Sequence, residues 1–359
     1  MIKRLMISFL AAGFLCAGGG FALLGAQGSA APAAAGAEKP APEAAPPPDP
    51  YQQALTELKA EDVSVRRMAA ENLGRLRNQE AIPHLTNLLK DENAMIRATA
   101  VDSLGLLRSP DSAAAIAKLL VDDPSPQVRQ AAAVSLAYLQ SDEAVDALIA
   151  ALNDAEDGVR YAATRTLGLT RSPKALKPLM DAAEKGSSGM MRSAMGALGQ
   201  LRDPAAAPVL IKALASEDRA IRLEAVKALG QLRSEDGLKA LKAFLKSDDE
   251  EIRLQTALAF SFLNDASAQP AALEFLKHDN PLYRQEAARI LAAVGDLKQG
   301  FPSLQKAYDG EQNVYAKKNL EFNLSQLKAR LGVDEKQEEK KGEKKGEKKG
   351  VKKSPKAHE

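Results

Sequence analysis

The feature that most constrains the fold of this chain is an internal repeat of about 31 residues. Its second half reads VRRMAAENLG at residues 65–74 and returns seven more times, down to YRQEAARILA at 283–292. A period this regular is typical of an array in which each unit buries its apolar face against its neighbours. The second position of the copies, separated by steps of 31 or 32, is occupied by Arg66, Arg97, Arg129, Arg160, Met191, Arg222, Arg253 and Arg284.

Each unit is predicted to hold two helices. In the first helix, apolar residues fall on one face at helical spacing, as Leu85 and Leu88 do in EAIPHLTNLLKD. The second helix starts after a column of N-cap candidates four residues before the recurrent Arg. A small residue lies eight positions after the Arg, and we expect it to allow a neighbouring helix to pack closely. The N-cap candidates are Asp62, Asn93, Ser125, Glu156, Ser187, Asp218, Asp249 and Asn280.

The recurrent arginines predict a structural ladder. An Arg in the first turn of a helix opposes the helix dipole, so seven such placements require recurrent anionic partners. We expect each Arg to pair with an acid in the turn before a second helix, from unit to unit along the stack. An anion-binding row is the alternative. The candidate acids are Asp91, Asp123, Asp154, Glu217, Asp248 and Asp279.

The repeated [VI]R-x-x-A-x-x-[AS]-L-G core resembles the short HEAT-like repeats of the phycobilisome-lyase type. The resemblance covers about 51–295, with a degenerate ninth unit around 314–327. It implies an all-α, right-handed α-solenoid at 51–333 that presents an extended surface to protein partners. The fifth unit, with Met191 and two glycines in its turn, suggests a hinge between units 4 and 5, or plain packing variation.

The resemblance extends to two enzyme-linked groups, and neither is favoured. HEAT-like deoxyhypusine hydroxylases bind iron through His-Glu pairs, whereas His84, His278 and His358 are not followed by Glu. Bilin lyases act on cytosolic light-harvesting proteins, which an exported chain would not meet. We therefore expect a chain without catalytic activity, metal or cofactor.

The N-terminus predicts export. Lys3 and Arg4 precede an apolar run at 5–26, and Gly28-Ser29-Ala30 forms a small-residue cleavage site, so 1–30 has the form of a signal peptide. An uncleaved anchor in the inner membrane is the alternative, and Cys16 leaves lipid attachment as a third. Residues 31–50 are an Ala/Pro-rich linker. A periplasmic or other extracytoplasmic location follows.

The distribution of charge bears on the kind of partner. Residues 51–333 hold 36 basic and 37 acidic side chains, so the body lacks the basic excess expected of a nucleic-acid-binding protein. Residues 334–359 repeat EKKG and are predicted to be disordered. From residue 340 onward this tail holds nine Lys and three Glu, which allows contact with an anionic surface; a simple solubility tail is the alternative.

In such stacks the second helices are expected to line the concave side, with an outward row one, five and nine residues after the recurrent Arg. We call these positions the concave row. In unit 7 the row is Leu254, Leu258 and Phe262, an apolar set that predicts a partner contact. Coverage by the ninth unit or a small rotation of the helix is the alternative. Tyr138 and Tyr161 lie on the same row.

These features together predict a protein-binding scaffold or adaptor of the cell envelope that holds its partners on the concave face. Two alternatives remain open. One is a peripheral protein that binds the envelope surface through its Lys-rich tail, and the other is a regulatory subunit of an envelope enzyme. The identity of the partner does not follow from the residues.

Overall fold

The computed structural model describes residues 49–139 and 141–333, apart from the side chain of Asp142. Within these ranges the regular structure is helical throughout, and no helix is long and apolar enough to cross a membrane. The predicted signal peptide or anchor, nearly all of the linker, and the Lys-rich tail lie outside the described residues.

Eighteen α-helices form nine helical pairs in the described chain, and each pair is one repeat unit. The odd-numbered helices are the first helices of units 1 to 9: α1 (Pro50–Glu57), α3 (Ile82–Leu88), α5 (Ala113–Asp122), α7 (Asp142–Ala150), α9 (Leu176–Lys185), α11 (Ala207–Ala213), α13 (Glu235–Leu241), α15 (Gln269–Phe275) and α17 (Gly300–Gly310). The even-numbered helices are the second helices: α2 (Val63–Leu76), α4 (Ala94–Leu106), α6 (Pro126–Ser135), α8 (Asp157–Thr170), α10 (Ser188–Leu201), α12 (Arg219–Leu232), α14 (Glu250–Ser261), α16 (Pro281–Val294) and α18 (Val314–Leu331).

The second helices begin where the cap column predicts. All eight predicted residues are the N-caps of α2 to α16, and Asn313 takes the same place before α18. Six of the eight accept a hydrogen bond from a backbone N–H of the first turn; Ser125 and Glu156 do not. The polar break in each repeat therefore fixes the start of the second helix by satisfying free N–H groups.

The units stack in single file, which confirms the all-α solenoid. Each second helix packs against the second helix of the next unit, from α2 with α4 to α16 with α18, whereas most neighbouring first helices touch sparsely. Closer packing of the second helices is the arrangement expected of the inner layer of a curved stack. The right-handed twist stays a prediction.

Small residues in the second helices permit this close packing. A Cβ added to Gly168 would lie 2.7 Å from the Cα of Ala197 in the next unit, and one added to Gly230 would lie 2.7 Å from the Cβ of Ala259. Neither separation is possible between real atoms, so only glycine fits. A continuous core of Leu and Ala side chains runs through all nine units.

The recurrent arginines make hydrogen bonds within their own units that are more constant than the predicted ladder. In all seven, Nη1 donates to the backbone carbonyl of the residue six before the Arg in its own unit. In six of them it also donates to the next carbonyl along the chain. The turn between the two helices of a unit is therefore tied down by its own Arg.

The ladder of acids is present only at certain interfaces between units. Arg97 binds both carboxylate oxygens of Asp123, at 2.7 and 2.8 Å. Arg129 binds Asp154 in the same way, and Arg66 lies 3.7 Å from Asp91. We call such an Arg–acid pair between successive units a rung. The three predicted rungs of the N-terminal units are thereby confirmed.

The predicted partners Glu217, Asp248 and Asp279 are wrong. The true rung position is six residues before the Arg of the next unit, whereas these acids are five before it and form no ion pair with a recurrent Arg. For Glu217, the preceding unit holds Met191 at the recurrent position and offers no Arg. Arg222 has no carboxylate partner among the described residues and only donates to carbonyls. Arg253 pairs with the exposed Glu274 instead.

Two further interfaces depart from the predicted pattern. Arg160 pairs with Asp157 of its own helix, because Lys185 occupies the rung position of the next unit. Arg284 forms a rung with the buried Glu311, at 2.6 and 2.7 Å, which the sequence reasoning missed because the ninth unit is degenerate. The true rung position therefore carries no carboxylate in units 5 to 8, and a carboxylate returns there in unit 9.

Candidate functional site

In seven of the eight predicted units no member of the concave row is buried, so the row is accessible there. That it lines a concave side stays a prediction. In units 3 to 5 its exposed members include Gln130, Tyr161, Arg165, Arg192 and Gln200. These side chains lie on the layer of second helices, which is the layer in closest contact along the stack.

The structure forms a groove on this surface, across the second helices of units 3 to 6. Its volume is about 560 Å³. The walls are formed by α6, α8 and α10, and one residue of α12 closes the far end. We call this the central groove; its lining residues are Gln130, Val134, Gly158, Tyr161, Ala162, Arg165, Arg192, Ser193, Gly196, Ala197, Gln200 and Glu224.

Glycines of the second helices give the central groove its shape. A Cβ added to Gly158 would lie 2.9 Å from Oε1 of Gln130, and one added to Gly196 would lie 2.9 Å from Oε1 of Glu224. The Tyr161 hydroxyl lies over Gly189 so closely that a Cβ there would overlap it. Side chains of one unit thus lie across glycines of a neighbouring unit, which keeps the floor of the groove low.

Two cations in the central groove form no ion pair among the described residues. Arg165 and Arg192 are exposed, and neither forms an ion pair within the described chain. The only hydrogen bond of the Arg192 guanidinium is a long one of 3.3 Å to the carbonyl of Ser188. The one carboxylate near them is Glu224, which makes no ion pair with either group but feels the charge of Arg192.

The remaining charged residue of the groove is Glu224 on α12. Burial raises the pKa of its carboxyl above the usual range, while the charges of Lys227 and Arg192 oppose that rise. Glu224 is half-buried and lies over Gly196. The groove therefore combines two guanidinium groups with one carboxylate that is held out of full solvation.

The predicted contact in unit 7 is largely wrong. Leu254 and Leu258 are only 2% and 3% exposed and belong to the continuous core. Their helix, α14, packs between α12 and α16 and buries eight of its twelve residues. Long apolar side chains on the row turn toward the neighbouring helices because that removes their surface from water, and Leu223 of the preceding unit is half-buried against the same core.

Phe262, the third residue of that set, is half-buried between two cations. The guanidinium carbon of Arg233 lies 5.5 Å from its ring centroid, and that of Arg289 lies 5.7 Å away. Such cation–π contacts occupy the ring. Phe262 therefore has a structural partner on each side instead of a free face.

Tyr138 and Tyr161 are exposed, as predicted. Tyr138 keeps 53% of its surface accessible and Tyr161 keeps 36%. Only Tyr161 lines the central groove. The binding role predicted for both tyrosines stays a prediction.

The definition of the concave row includes Arg165 and Arg192, but sequence reasoning did not recognise that these two arginines share one groove. The signal that could have found them is the absence of an acid at helical spacing. Arg67 and Arg289 each have a Glu three or four residues away, in Glu71 and Glu286, and pair with it. Position 165 has no acid at three or four residues on either side, and position 192 has none either.

A second groove, of about 670 Å³, lies between the first helices of units 8 and 9. The Arg284–Glu311 rung lies in this groove, and its two charged groups already pair with each other. Lys277 and Lys306 line its edge. Because it lies on the side of the first helices, it is separate from the concave row.

Comparison with known proteins supplies a family match. A family model described as HEAT repeats matches residues 52–137, 114–197, 192–261 and 243–325. No curated protein matches the chain.

Solved structures are similar at low identity. Escherichia coli YibA is 21% identical, with a TM-score of 0.49 over 75% of this chain and 98% of that one. The CpcE–CpcF complex of phycocyanin lyase from Nostoc sp. PCC7120 is 19% identical, with a TM-score of 0.40 over 81% and 99%. Human deoxyhypusine hydroxylase in complex with glycerol is 22% identical, with a TM-score of 0.32 over 72% and 99%. These likenesses carry no argument about activity or partner.

Proposed function

Because this chain belongs to the HEAT-repeat family, we propose that it is a non-catalytic scaffold that binds a partner protein along the inner layer of its second helices. The central groove is the proposed contact. Repeat stacks of this kind offer a long continuous surface and are built for extended contacts. The export signature at the N-terminus supports placing this activity in the cell envelope.

The observation that carries the proposal is the composition of the central groove. Its surface combines an exposed aromatic ring, Tyr161, with free guanidinium groups and with the amides of Gln130 and Gln200. Tyr and Arg are the residue types that most often dominate binding energy at protein interfaces. A low floor between them leaves room for the backbone of a partner segment.

Site-specific photo-crosslinking in the native cell envelope tests the proposal. Benzoylphenylalanine replaces Tyr161 in the groove, and the matched control places it at Val121, an exposed apolar residue at the end of α5. We expect one discrete adduct from position 161 and no adduct of that mass from position 121. Identical adduct patterns at the two positions, or no adduct at 161, would show that the groove does not hold a partner.

A further inference from the structure

We infer that the central groove selects an acidic segment of the partner protein, whose carboxylates pair with Arg165 and Arg192. This inference rests on the proposed function and adds the chemistry of the partner. It commits to a peptide segment rich in Asp or Glu as the occupant.

The first argument is the contrast between these two arginines and the other cations of the concave row. Arg67 and Arg75 share Glu71, Lys227 lies 3.8 Å from Glu251, and Arg289 lies 2.7 Å from Glu286. Among the described cations of the row, only Arg165 and Arg192 form no ion pair, although the charge of Arg192 acts on Glu224. Both line the same groove.

The second argument is electrostatic. Two guanidinium groups line the groove from adjacent helices, α8 and α10, against the single carboxylate of Glu224, so the charged side chains of the lining sum to one positive charge when Glu224 is ionised. A ligand carboxylate would gain charge-assisted hydrogen bonds, which are about twice as strong as neutral ones. The groove therefore has complementary charge for an acidic ligand.

The third argument separates a peptide from a nucleic acid. The groove contains one aromatic ring, whereas strand-binding grooves present several rings on which bases stack. It also contains Glu224, whose carboxylate would repel the phosphates of a nucleic acid. The solenoid body as a whole has no excess of basic residues. The amides of Gln130 and Gln200 can both donate to and accept from a peptide backbone.

Fluorescence anisotropy with the full chain tests the inference. The probe is a labelled decapeptide of alternating Glu and Ala, and its counterpart has Gln in place of every Glu. The test variant is Arg165→Gln with Arg192→Gln. The matched control is Arg171→Gln with Arg202→Gln, which removes the same charge from two exposed arginines outside the groove. Circular dichroism verifies that both variants are folded.

We expect the groove variant to bind the acidic peptide at least about tenfold more weakly than the parent chain, because it loses two charge-assisted contacts. The control is expected to remain within about twofold, which is the scale of screened surface charges. Equal weakening in both variants would mean non-specific attraction, and unchanged binding in the groove variant would mean that the arginines are not used. Either outcome overturns the inference, as does equal affinity for the Gln peptide.

A single-stranded oligonucleotide of matched length is the competing probe. Tighter, arginine-dependent binding of the oligonucleotide than of the peptide would overturn the acidic-peptide assignment. The crosslinking experiment separates the two proposals. An adduct at position 161 without peptide binding would reject the acidic segment as the occupant and keep the scaffold proposal. Peptide binding without an adduct would keep the preference of the groove for acidic peptides and reject the scaffold proposal.

Discussion

At the scale of single residues, the recurrence of the Arg is best explained by the turn between the two helices of its own unit. Its guanidinium donates to backbone carbonyls within the unit in all seven copies, and a carboxylate of the next unit completes it in only some of them. Free carbonyls at the end of a first helix need a donor. Because every unit has such a turn, the Arg recurs whether or not an acid follows.

The buried rung is expected to contribute strongly to stability. Replacing Asp123 by Ala leaves the guanidinium of Arg97 buried without its acid, and we expect a loss of about 3 kcal/mol in the free energy of unfolding. Asp123 is 5% exposed. The matched control is Asp157→Ala, because the side chain of Asp157 is 66% exposed beside Arg160, and it is expected to cost less than about 1 kcal/mol. Urea unfolding followed by circular dichroism measures both.

The same rung predicts a dependence on pH. Burial alone would raise the pKa of Asp123, but hydrogen bonds from Arg97 and from the N–H of Ser125 outweigh it, so the pKa is lowered. The contribution of the rung is therefore present above the usual Asp range, about pH 4, and is lost as the pH falls through the lowered pKa. The stability gap between the parent chain and Asp123→Ala should be constant from neutral pH down to that range and should narrow below it. A gap that widens on acidification would contradict the pairing.

Glycine in the second helices is expected to be irreplaceable where helices touch. In Gly168→Ala the new methyl group would lie 2.7 Å from the Cα of Ala197, so α8 and α10 must move apart. We expect a loss of about 1–3 kcal/mol in unfolding free energy. Gly310→Ala is the matched control, because nothing lies within 4 Å of the added atom, and it is expected to be neutral or stabilising by up to about 1 kcal/mol. Thermal unfolding of the two variants, compared directly, decides this.

Prediction at this scale succeeded where a rule is local. Caps, the apolar stripe and the glycine column depend on neighbours in sequence, and these were assigned correctly. The burial of Leu254 and Leu258 was not predicted. It depends on how closely α12 and α16 approach α14, and no pattern within one unit encodes that distance. The rung partners failed for a related reason. An acid displaced by one residue points elsewhere, and three of the six candidates were displaced.

At the scale of elements, the interface between units 4 and 5 lacks a rung for an identifiable reason. The rung position holds Lys185, whose ammonium pairs with Asp181 on the same helix. Arg160 therefore uses an acid of its own helix, Asp157. The two units are still closely packed, since Gly168 meets Ala197 and the hydroxyl of Thr164 lies 3.6 Å from the sulfur of Met190. This interface therefore lacks a rung but not close packing, and the hinge stays a prediction.

A rung can be restored at that interface. Lys185→Asp places a carboxylate at the position that Asp123 and Asp154 occupy in earlier units, within reach of Arg160. We expect it to raise the free energy of unfolding by about 1 kcal/mol relative to Lys185→Ser. The Ser variant is the proper reference because Ser occupies this position in units 6 and 7, as Ser216 and Ser247. If the two variants unfold at the same urea concentration, the rung position has been misassigned.

At the scale of the whole molecule, the stretch without rungs overlaps the central groove. The groove spans α6 to α12, and the interfaces between α8 and α10 and between α10 and α12 have no carboxylate rung, whereas the interface between α6 and α8 has the Arg129–Asp154 rung. In repeat proteins stability is approximately a sum over units and interfaces. Two of the three interfaces that form the groove therefore lack the stabilisation of a rung, which favours small adjustments around a partner.

The repeat period sufficed to predict the family and the stacking, because periodicity itself encodes both. It could not locate the groove. The groove depends on which side chains lean across which glycines, as Tyr161 does over Gly189 and Glu224 over Gly196. These contacts join different units, and they become visible only when the stack is assembled.

Native-state hydrogen exchange connects these scales. Under mild urea, the backbone amides of α10 and α12 should exchange faster than those of α4 and α6, because the units containing α4 and α6 are held by the Arg97–Asp123 and Arg129–Asp154 rungs. Lys185→Asp should slow exchange in α10 while leaving α4 unchanged, since a new rung acts on its own interface. Uniform exchange along the stack, or a slowing that spreads equally to α4, would show that the rungs do not set local stability. A bound acidic segment should protect α8 and α10 in the same way, because its carboxylates would bridge Arg165 and Arg192 across an interface that has no carboxylate rung among the described residues.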